Sequence, residues 1–304
     1  MRHFYRICAV VATFVAAGAA EITHLPAPPA AVQPPSVTDA EQRAATKKIV
    51  TKKVILVGDS TMQVGSGWGG AFCAHHLSSF VACVNLGRGG RSTFSYRAEG
   101  SWDIALAEMK APGYSKVYVL IQLGHNDQPG KPGRSTDLYK EFPANLAQYV
   151  KETREAGAIP VLVTPLTRRS FKDGSLQDDL QPWADAARKV AKEMNVPLVD
   201  LHAVSTAAVQ KMGPVEATKL AEMLPPQYVL DAAAKGTTIS ATPAESRAAT
   251  PDLKSTEVVE TPQGRPNIVF DYTHIGDTGA DVFSAEVAAE LARVVPDLRR
   301  ELYP

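Results

Sequence analysis

Ser60 stands in Gly58-Asp59-Ser60-Thr61, directly after the apolar run Val54-Ile55-Leu56-Val57, and far downstream Asp271 and His274 share the segment Asp271-Tyr272-Thr273-His274. A serine hydroxyl is a poor nucleophile near neutral pH, so a base must take its proton as it attacks. His274 is the candidate base. The three-residue offset lets the Asp271 carboxylate fold back in one tight turn onto the imidazole Nδ1, leaving Nε2 to face Ser60 and stabilising the imidazolium that forms. The chemistry these types can perform is acyl transfer. Two further segments, Gly89-Gly90-Arg91-Ser92 and Gly124-His125-Asn126-Asp127, also follow apolar runs. Gly90 lacks a Cβ, so a reacting ester oxygen can approach its N–H, and Asn126 offers a neutral side-chain donor. With the Ser60 N–H, these are the candidate donors to an oxyanion. Asp59 reads as a local cap, because Asp-Ser-Thr is good chemistry ahead of a helix, and a helix start beside the serine would add free N–H groups.

The elements that must position these residues are legible as alternation. Apolar, β-branched runs at Val54–Val57, Val81–Leu86, Val117–Leu123, Ile159–Val163 and Val196–Val199 have the pattern of strands buried on both faces. Helical stretches are expected at about Gly70–Leu77, Trp102–Lys110, Leu138–Ala156 and Pro182–Asn195, with another starting near Gly276. Strand and helix in turn imply an α/β fold, a three-layer α/β/α sandwich around a parallel sheet of about five strands. Ligands in such sheets sit at the carboxyl ends of the strands, where Ser60, Gly90, Asn126 and the loop Thr164–Arg169 all fall. Arg88, Arg91, Arg168 and Arg169 lie on the same rim, and a guanidinium pairs well with a uronate carboxylate; Arg91, Arg168 and Arg169 are the candidate substrate-binding residues. Trp68 reads as packing beneath the loops. His75 and His76 are adjacent on a helix and point apart, so they do not make a metal site. His125 and His202 have no evident partner and read as loop or packing residues.

With 45% apolar and 21% charged residues in 304, and no net charge, the chain has the profile of a globular protein without an electrostatic footprint for nucleic acid or an anionic membrane. Basic Met1–Arg6, apolar Ile7–Ala17 and the small residues to Ala20 read as a secretory signal, so an extracytoplasmic location is expected. A Pro/Ala-rich flexible leader follows at 21–51, then one catalytic domain at 52–304. Within that domain, 225–266 reads as an irregular insertion, a lid or a loosely packed excursion, placed directly before the Asp/His loop. Cys73 and Cys83 are either a local disulfide, which an oxidising compartment permits, or two buried thiols.

Taken together, Gly58-Asp59-Ser60-Thr61, Gly90-Arg91-Ser92, Gly124-His125-Asn126-Asp127 and Asp271-Tyr272-Thr273-His274 resemble, in order and spread, the four sequence blocks of the SGNH, or GDSL-type, hydrolases. Thr61 replaces the commoner Leu. Asn85–Ser95, the Thr164–Arg169 loop and Gly279-Ala280 after the Asp/His block are most similar to the rhamnogalacturonan acetylesterase branch. The resemblance implies a flavodoxin-like fold and a metal- and cofactor-free mechanism: Ser60 as nucleophile, His274 as base, Asp271 orienting it, and Ser60, Gly90 and Asn126 forming the oxyanion hole. It also implies an acetylated polysaccharide or oligosaccharide as partner; a monomer is expected, with no membrane association after signal removal. Competing readings are a lipase or thioesterase, a non-catalytic polysaccharide-binding module on the same scaffold, and a metal-dependent phosphoesterase built on Asp59, Asp271 and His274.

Overall fold

The computed structural model describes residues 37–240 and 270–303. The signal segment 1–20 and most of the 225–266 insertion lie outside the described residues. The chain divides into a small unit, 1–48, and a main unit from Ile49 onward. In the small unit, α1 (Asp39–Ala45) is an exposed helix closed by a capping box, in which Thr38 Oγ1 accepts from the Glu41 N–H and the Glu41 carboxylate accepts from the Thr38 N–H. Part of the stretch read as a flexible leader is therefore helical. The capping pair Thr38 and Glu41 was the available signal.

In the main unit, β1 (Thr51–Gly58), β2 (Val81–Asn85), β3 (Tyr114–Gln122), β4 (Ile159–Val163) and β7 (Leu198–Val199) form one parallel sheet in the order β2-β1-β3-β4-β7. Successive side chains on a strand point to opposite faces, and both faces here are covered. Val54, Leu56, Tyr118, Leu120, Val161 and Val163 face a core completed by α2 (Gly69–His75), α7 (Leu201–Thr218) and α9 (Asp277–Val294). Ile55, Val57, Val119, Ile121 and Leu162 face the other, completed by α3 (Ser95–Ala98), α4 (Ser101–Met109), α5 (Glu141–Glu155) and α6 (Gln181–Glu193). The expected three-layer sandwich is the observed one. Strand order reverses between β1 and β3, so the crevice at their carboxyl ends is the natural ligand site, and the loops bearing Ser60 and Asn126 flank it.

Three local expectations are corrected. No helix starts at Ser60: residues 59–63 make one turn, with the Met62 and Gln63 N–H groups donating to the Asp59 carbonyl, and α2 begins only at Gly69. The region after β7, to which the sequence reading assigns no element, forms α7, N-capped by Asp200 and broken at Gly213 (φ 75°) and Pro214. The described beginning of the insertion is also built structure. Its helix α8 (Gln227–Ala233) buries Val229 and Ala233, and the residues after it bond to a hairpin of β5 (Phe171–Lys172) and β6 (Ser175–Leu176) through Gly174 N–H to the Gly236 carbonyl and Thr238 N–H to the Phe171 carbonyl.

Cys73 on α2 and Cys83 on β2 are joined by a disulfide. It clamps an edge strand to the helix covering it. Closing a loop of this size removes unfolded-state entropy worth about 2–3 kcal/mol. Replacing both cysteines by alanine should therefore lower unfolding free energy by about that amount in urea melts, and reductant should destabilise the parent protein but not the variant.

Candidate active site

The Asp271–His274 loop enters the site from the amino side of α9, which starts at Asp277. Asp271 Oδ1 accepts the N–H groups of Thr273 (2.8 Å) and His274 (2.7 Å), the tight turn that a three-residue offset permits. Its other oxygen, Oδ2, lies 2.6 Å from His274 Nδ1, and His274 Nε2 lies 2.8 Å from Ser60 Oγ. Ser60, His274 and Asp271 thus form one hydrogen-bonded line across 214 residues of sequence. Burial alone would push the His274 imidazolium down. The hydrogen bond and charge of Asp271, with the charges of Asp59 and Glu222 beyond, outweigh it and hold the pKa above the ordinary histidine range. Burial would likewise raise Asp271, but the imidazole and the two loop N–H groups draw it below the usual carboxylate range.

A buried polar chain carries the serine from below. Trp68, fully buried, donates from Nε1 to Gln122 Oε1 (2.7 Å), Gln122 donates to Thr61 Oγ1 (2.5 Å), and Thr61 donates from Oγ1 and N to Asp59 Oδ1 (2.8 and 2.9 Å). Asp59 is the local cap expected, though of a single turn. His125, read as partnerless, places Nδ1 3.3 Å from Asp59 Oδ2, near enough for charge interaction but not aligned as a hydrogen bond. Burial holds this imidazole below its ordinary pKa. His202 also has a partner, Asp178, at 2.9 Å, on the far side of the Thr164 loop. In both cases the signal was the neighbouring acid, which only the fold brings near.

The proposed oxyanion donors come together only in part. Gly90 has φ 79°, a left-handed conformation that favours glycine, and a Cβ at Gly89 would lie 3.6 Å from Ser60 Cβ, so this turn borders the nucleophile. The Ser60 and Gly90 N–H groups find no acceptor among the described residues. Asn126 Nδ2 donates one hydrogen to the Arg91 carbonyl (3.1 Å), which fixes the amide and leaves its second hydrogen. Asp127 ties this loop to the glycine turn by accepting from the Thr93 N–H (3.0 Å) and Oγ1 and from Thr136 Oγ1 (2.9 Å). Burial pushes that carboxyl up to about 6.

The three arginines expected to hold sugar each have protein partners. Arg91 Nε binds both Glu99 oxygens, at 3.0 and 2.8 Å, and Nη1 binds the Gly89 carbonyl at 2.7 Å. Arg168 pairs with Asp179 and donates to Thr273 Oγ1 (3.1 Å). Arg169 is fully buried: its guanidinium donates to the carbonyls of His274 (2.6 Å), Asp271 (3.3 Å) and Thr273 (3.3 Å). Burial pushes it down to about 10, which leaves it charged at neutral pH. Arg169 is a strut of the Asp/His loop rather than a ligand for substrate. Sequence reading also missed Ser66, whose Oγ donates to the Ser60 carbonyl (2.9 Å) while its own carbonyl accepts the Ile275 N–H (3.0 Å).

Residues 56–213 match the model of the GDSL-like lipase/acylhydrolase family. The chain belongs to that family. It is a carboxylic ester hydrolase by descent. The rhamnogalacturonan acetylesterase RhgT of Bacillus subtilis (strain 168) is 38% identical over 176 residues, 55% of this chain and 72% of that one. A probable rhamnogalacturonan acetylesterase of the same organism, YesY, is 33% identical over 167 residues, 53% and 75% of the respective chains. The solved structure of Bacillus subtilis YXIM aligns with a TM-score of 0.56 at 19% identity, over 81% of this chain and 57% of that one, a likeness of fold.

Replacing Arg169 by methionine leaves the loop carbonyls of Asp271, Thr273 and His274 without their donor, at about 1–3 kcal/mol for each group that stays buried. The variant should melt several degrees lower and lose ester hydrolysis more steeply than stability. A variant with parental melting and turnover would show that the strut is dispensable.

Proposed function

We propose that the protein is an exported serine esterase that removes O-acetyl groups from a plant-type polysaccharide of the pectic rhamnogalacturonan class through an acyl-enzyme on Ser60. The observation that carries this reading is the 2.8 Å contact of His274 Nε2 with Ser60 Oγ, with Asp271 2.6 Å behind the ring. Ser60 Oγ attacks the acetyl carbonyl carbon as its proton passes to His274 Nε2, and the carbonyl oxygen becomes an oxyanion facing the Ser60 and Gly90 N–H groups and the Asn126 amide. Collapse breaks the bond to the sugar oxygen, which takes the proton from His274 and leaves as an alcohol. Water then attacks the acetyl-serine with His274 again as base, acetate departs, and the proton returns to Ser60 Oγ. Asp271 holds the ring in the tautomer that both halves require.

The names of the two Bacillus subtilis relatives support acetate as the leaving acid and a pectic polymer as the substrate class. The basic, then apolar, then small-residue run at Met1–Ala20 supports export, and the Cys73–Cys83 disulfide suits an oxidising compartment. Acetate release from acetylated pectic, xylan and mannan polymers should be greatest on the pectic one, and octanoyl esters should react more slowly than acetyl esters; the reverse order on chain length would favour a lipase. Ser60→Ala should abolish hydrolysis of aryl acetate in a folded protein.

The rate should also report the raised imidazole. His274 acts as base only when neutral, so kcat/KM should fall as pH drops through a midpoint above the ordinary histidine value of about 6.5. Asp271→Asn removes the charge that raises it most, while burial persists. That variant should shift the midpoint downward and lower kcat on the order of ten-thousand-fold, the loss seen when a triad carboxylate becomes an amide in serine proteases. A midpoint unmoved by the substitution would detach the titration from His274.

A further inference from the structure

The loop that follows Asn126 presents two cations whose hydrogen-bond partners among the described residues are all neutral carbonyl oxygens. Lys131 Nζ donates to the His125 carbonyl (2.5 Å) and, at 3.4 Å, to Asn126 Oδ1. Arg134 reaches only the Gly90 carbonyl, through Nη1, at 3.4 Å. Neither has a carboxylate within ion-pair distance among the described residues, whereas Arg91 and Arg168 are paired and Arg169 is buried on carbonyls. Of the buried carboxylates, Asp127 is held by Thr93 and Thr136, and Asp59 takes Thr61 on Oδ1 while its Oδ2 faces His125 Nδ1 at 3.3 Å.

Their placement is built. The Arg134 and Ser135 N–H groups both donate to the Lys131 carbonyl (3.0 and 2.9 Å), Ser135 Oγ accepts the Lys131 N–H (2.9 Å), and the Thr136 N–H returns to the Asp127 carbonyl (2.9 Å). Gly130 and Gly133, at φ 83° and 71°, allow this closed turn. The turn reaches the Gly89-Gly90 segment, which itself borders Ser60. A Cβ at Gly89 would sit 3.6 Å from Ser60 Cβ, and a Cβ at the next residue, Gly90, would sit 3.0 Å from Arg134 Nη1.

We propose that Arg134, seconded by Lys131, binds the carboxylate of a uronic acid residue beside the acetylated sugar, so that the site selects acidic over neutral acetylated polysaccharides. The inference rests on ester hydrolysis at Ser60. A guanidinium held by one long bond keeps the rest of its planar fork for a bidentate carboxylate, and a point charge three residues away reinforces the attraction. Lys131 is half stripped of water, and burial with the charges of Arg168 and Arg134 pushes it down to about 8, so an added anion relieves an existing imbalance.

The test compares a galacturonate-containing acetylated oligosaccharide with the same oligosaccharide after methyl esterification of its carboxyls. The parent enzyme should favour the free acid by about tenfold or more in kcat/KM, mainly through KM, as expected for hydrogen bonds to a charged group. Arg134→Gln should erase most of that ratio and Arg134→Lys should keep part of it. Circular dichroism and melting temperature would establish that both variants fold. A parent enzyme indifferent to esterification, or an Arg134→Gln variant that slows both substrates equally, would overturn the assignment. Aryl acetate turnover in the parent and in Ser60→Ala is read alongside: if the alanine variant retains it, the hydrolytic reading itself fails, whatever the ratio shows.

Discussion

Among the described residues, Asp271 and His274 lie on a segment outside the sheets, so the 2.8 Å approach of His274 to Ser60 has to be imposed by donors from other parts of the chain. The Arg169 guanidinium holds three loop carbonyls, the Glu222 N–H takes the His274 carbonyl as well, and the Gly276 N–H is taken by the Leu220 carbonyl. On the other side, Ser66 touches both partners, its hydroxyl on the Ser60 carbonyl and its carbonyl on the Ile275 N–H. A loop held at so many points loses the freedom that would otherwise be given up when substrate binds. The reacting atoms are in place beforehand, which is the condition for positional catalysis.

Beneath the nucleophile the same logic runs in side chains. From Trp68 through Gln122 and Thr61 to Asp59, each donor has one buried acceptor, and such a chain has few alternative arrangements at low dielectric. It also crosses the point where strand order reverses, linking the end of β3, through Gln122, to the turn after β1. The sheet therefore does more than supply a rim: its register sets the height of Ser60 against Asn126.

Much of this was readable beforehand, and the reasons differ by element. Val54–Val57 and Ile159–Val163 declare themselves because strands covered on both faces admit only apolar residues. Ser60, Asp271 and His274 declare themselves because few residue types can do this chemistry. The helix α7 went unread because its apolar residues are diluted by alanine and serine and it breaks at Gly213-Pro214, although Asp200 at its start and the spacing of Leu201, Ser205 and Val209 carried a signal. The turn after Ser60 was mistaken for a helix start because Asp-Ser-Thr suits both. Partners of His125 and His202 were invisible for a plainer reason: Asp59 and Asp178 are distant in sequence, and proximity is a property of the fold.

The arginines show why residue type cannot settle function on a rim. Arg91, Arg168, Arg169 and Arg134 carry the same group, yet burial and the nearest acceptor assign them different work. Full burial against carbonyls makes Arg169 a strut, because withdrawing it would strand both its charge and their lone pairs. Pairing with Glu99 and Asp179 makes Arg91 and Arg168 ties between neighbouring segments, since a substrate carboxylate would have to displace one already in place. A cation retained for a ligand must meet the opposite conditions: near the nucleophile, backed by the loop, and short of an acid. Arg134 satisfies them: it reaches the Gly90 carbonyl and no carboxylate among the described residues, while Asp127 is buried and answered by Thr93 and Thr136. The hydroxyls of Thr61, Thr93 and Thr136 thus have a second consequence. By answering Asp127 and one oxygen of Asp59, they leave Lys131 and Arg134, the two cations of this loop, without a carboxylate partner among the described residues.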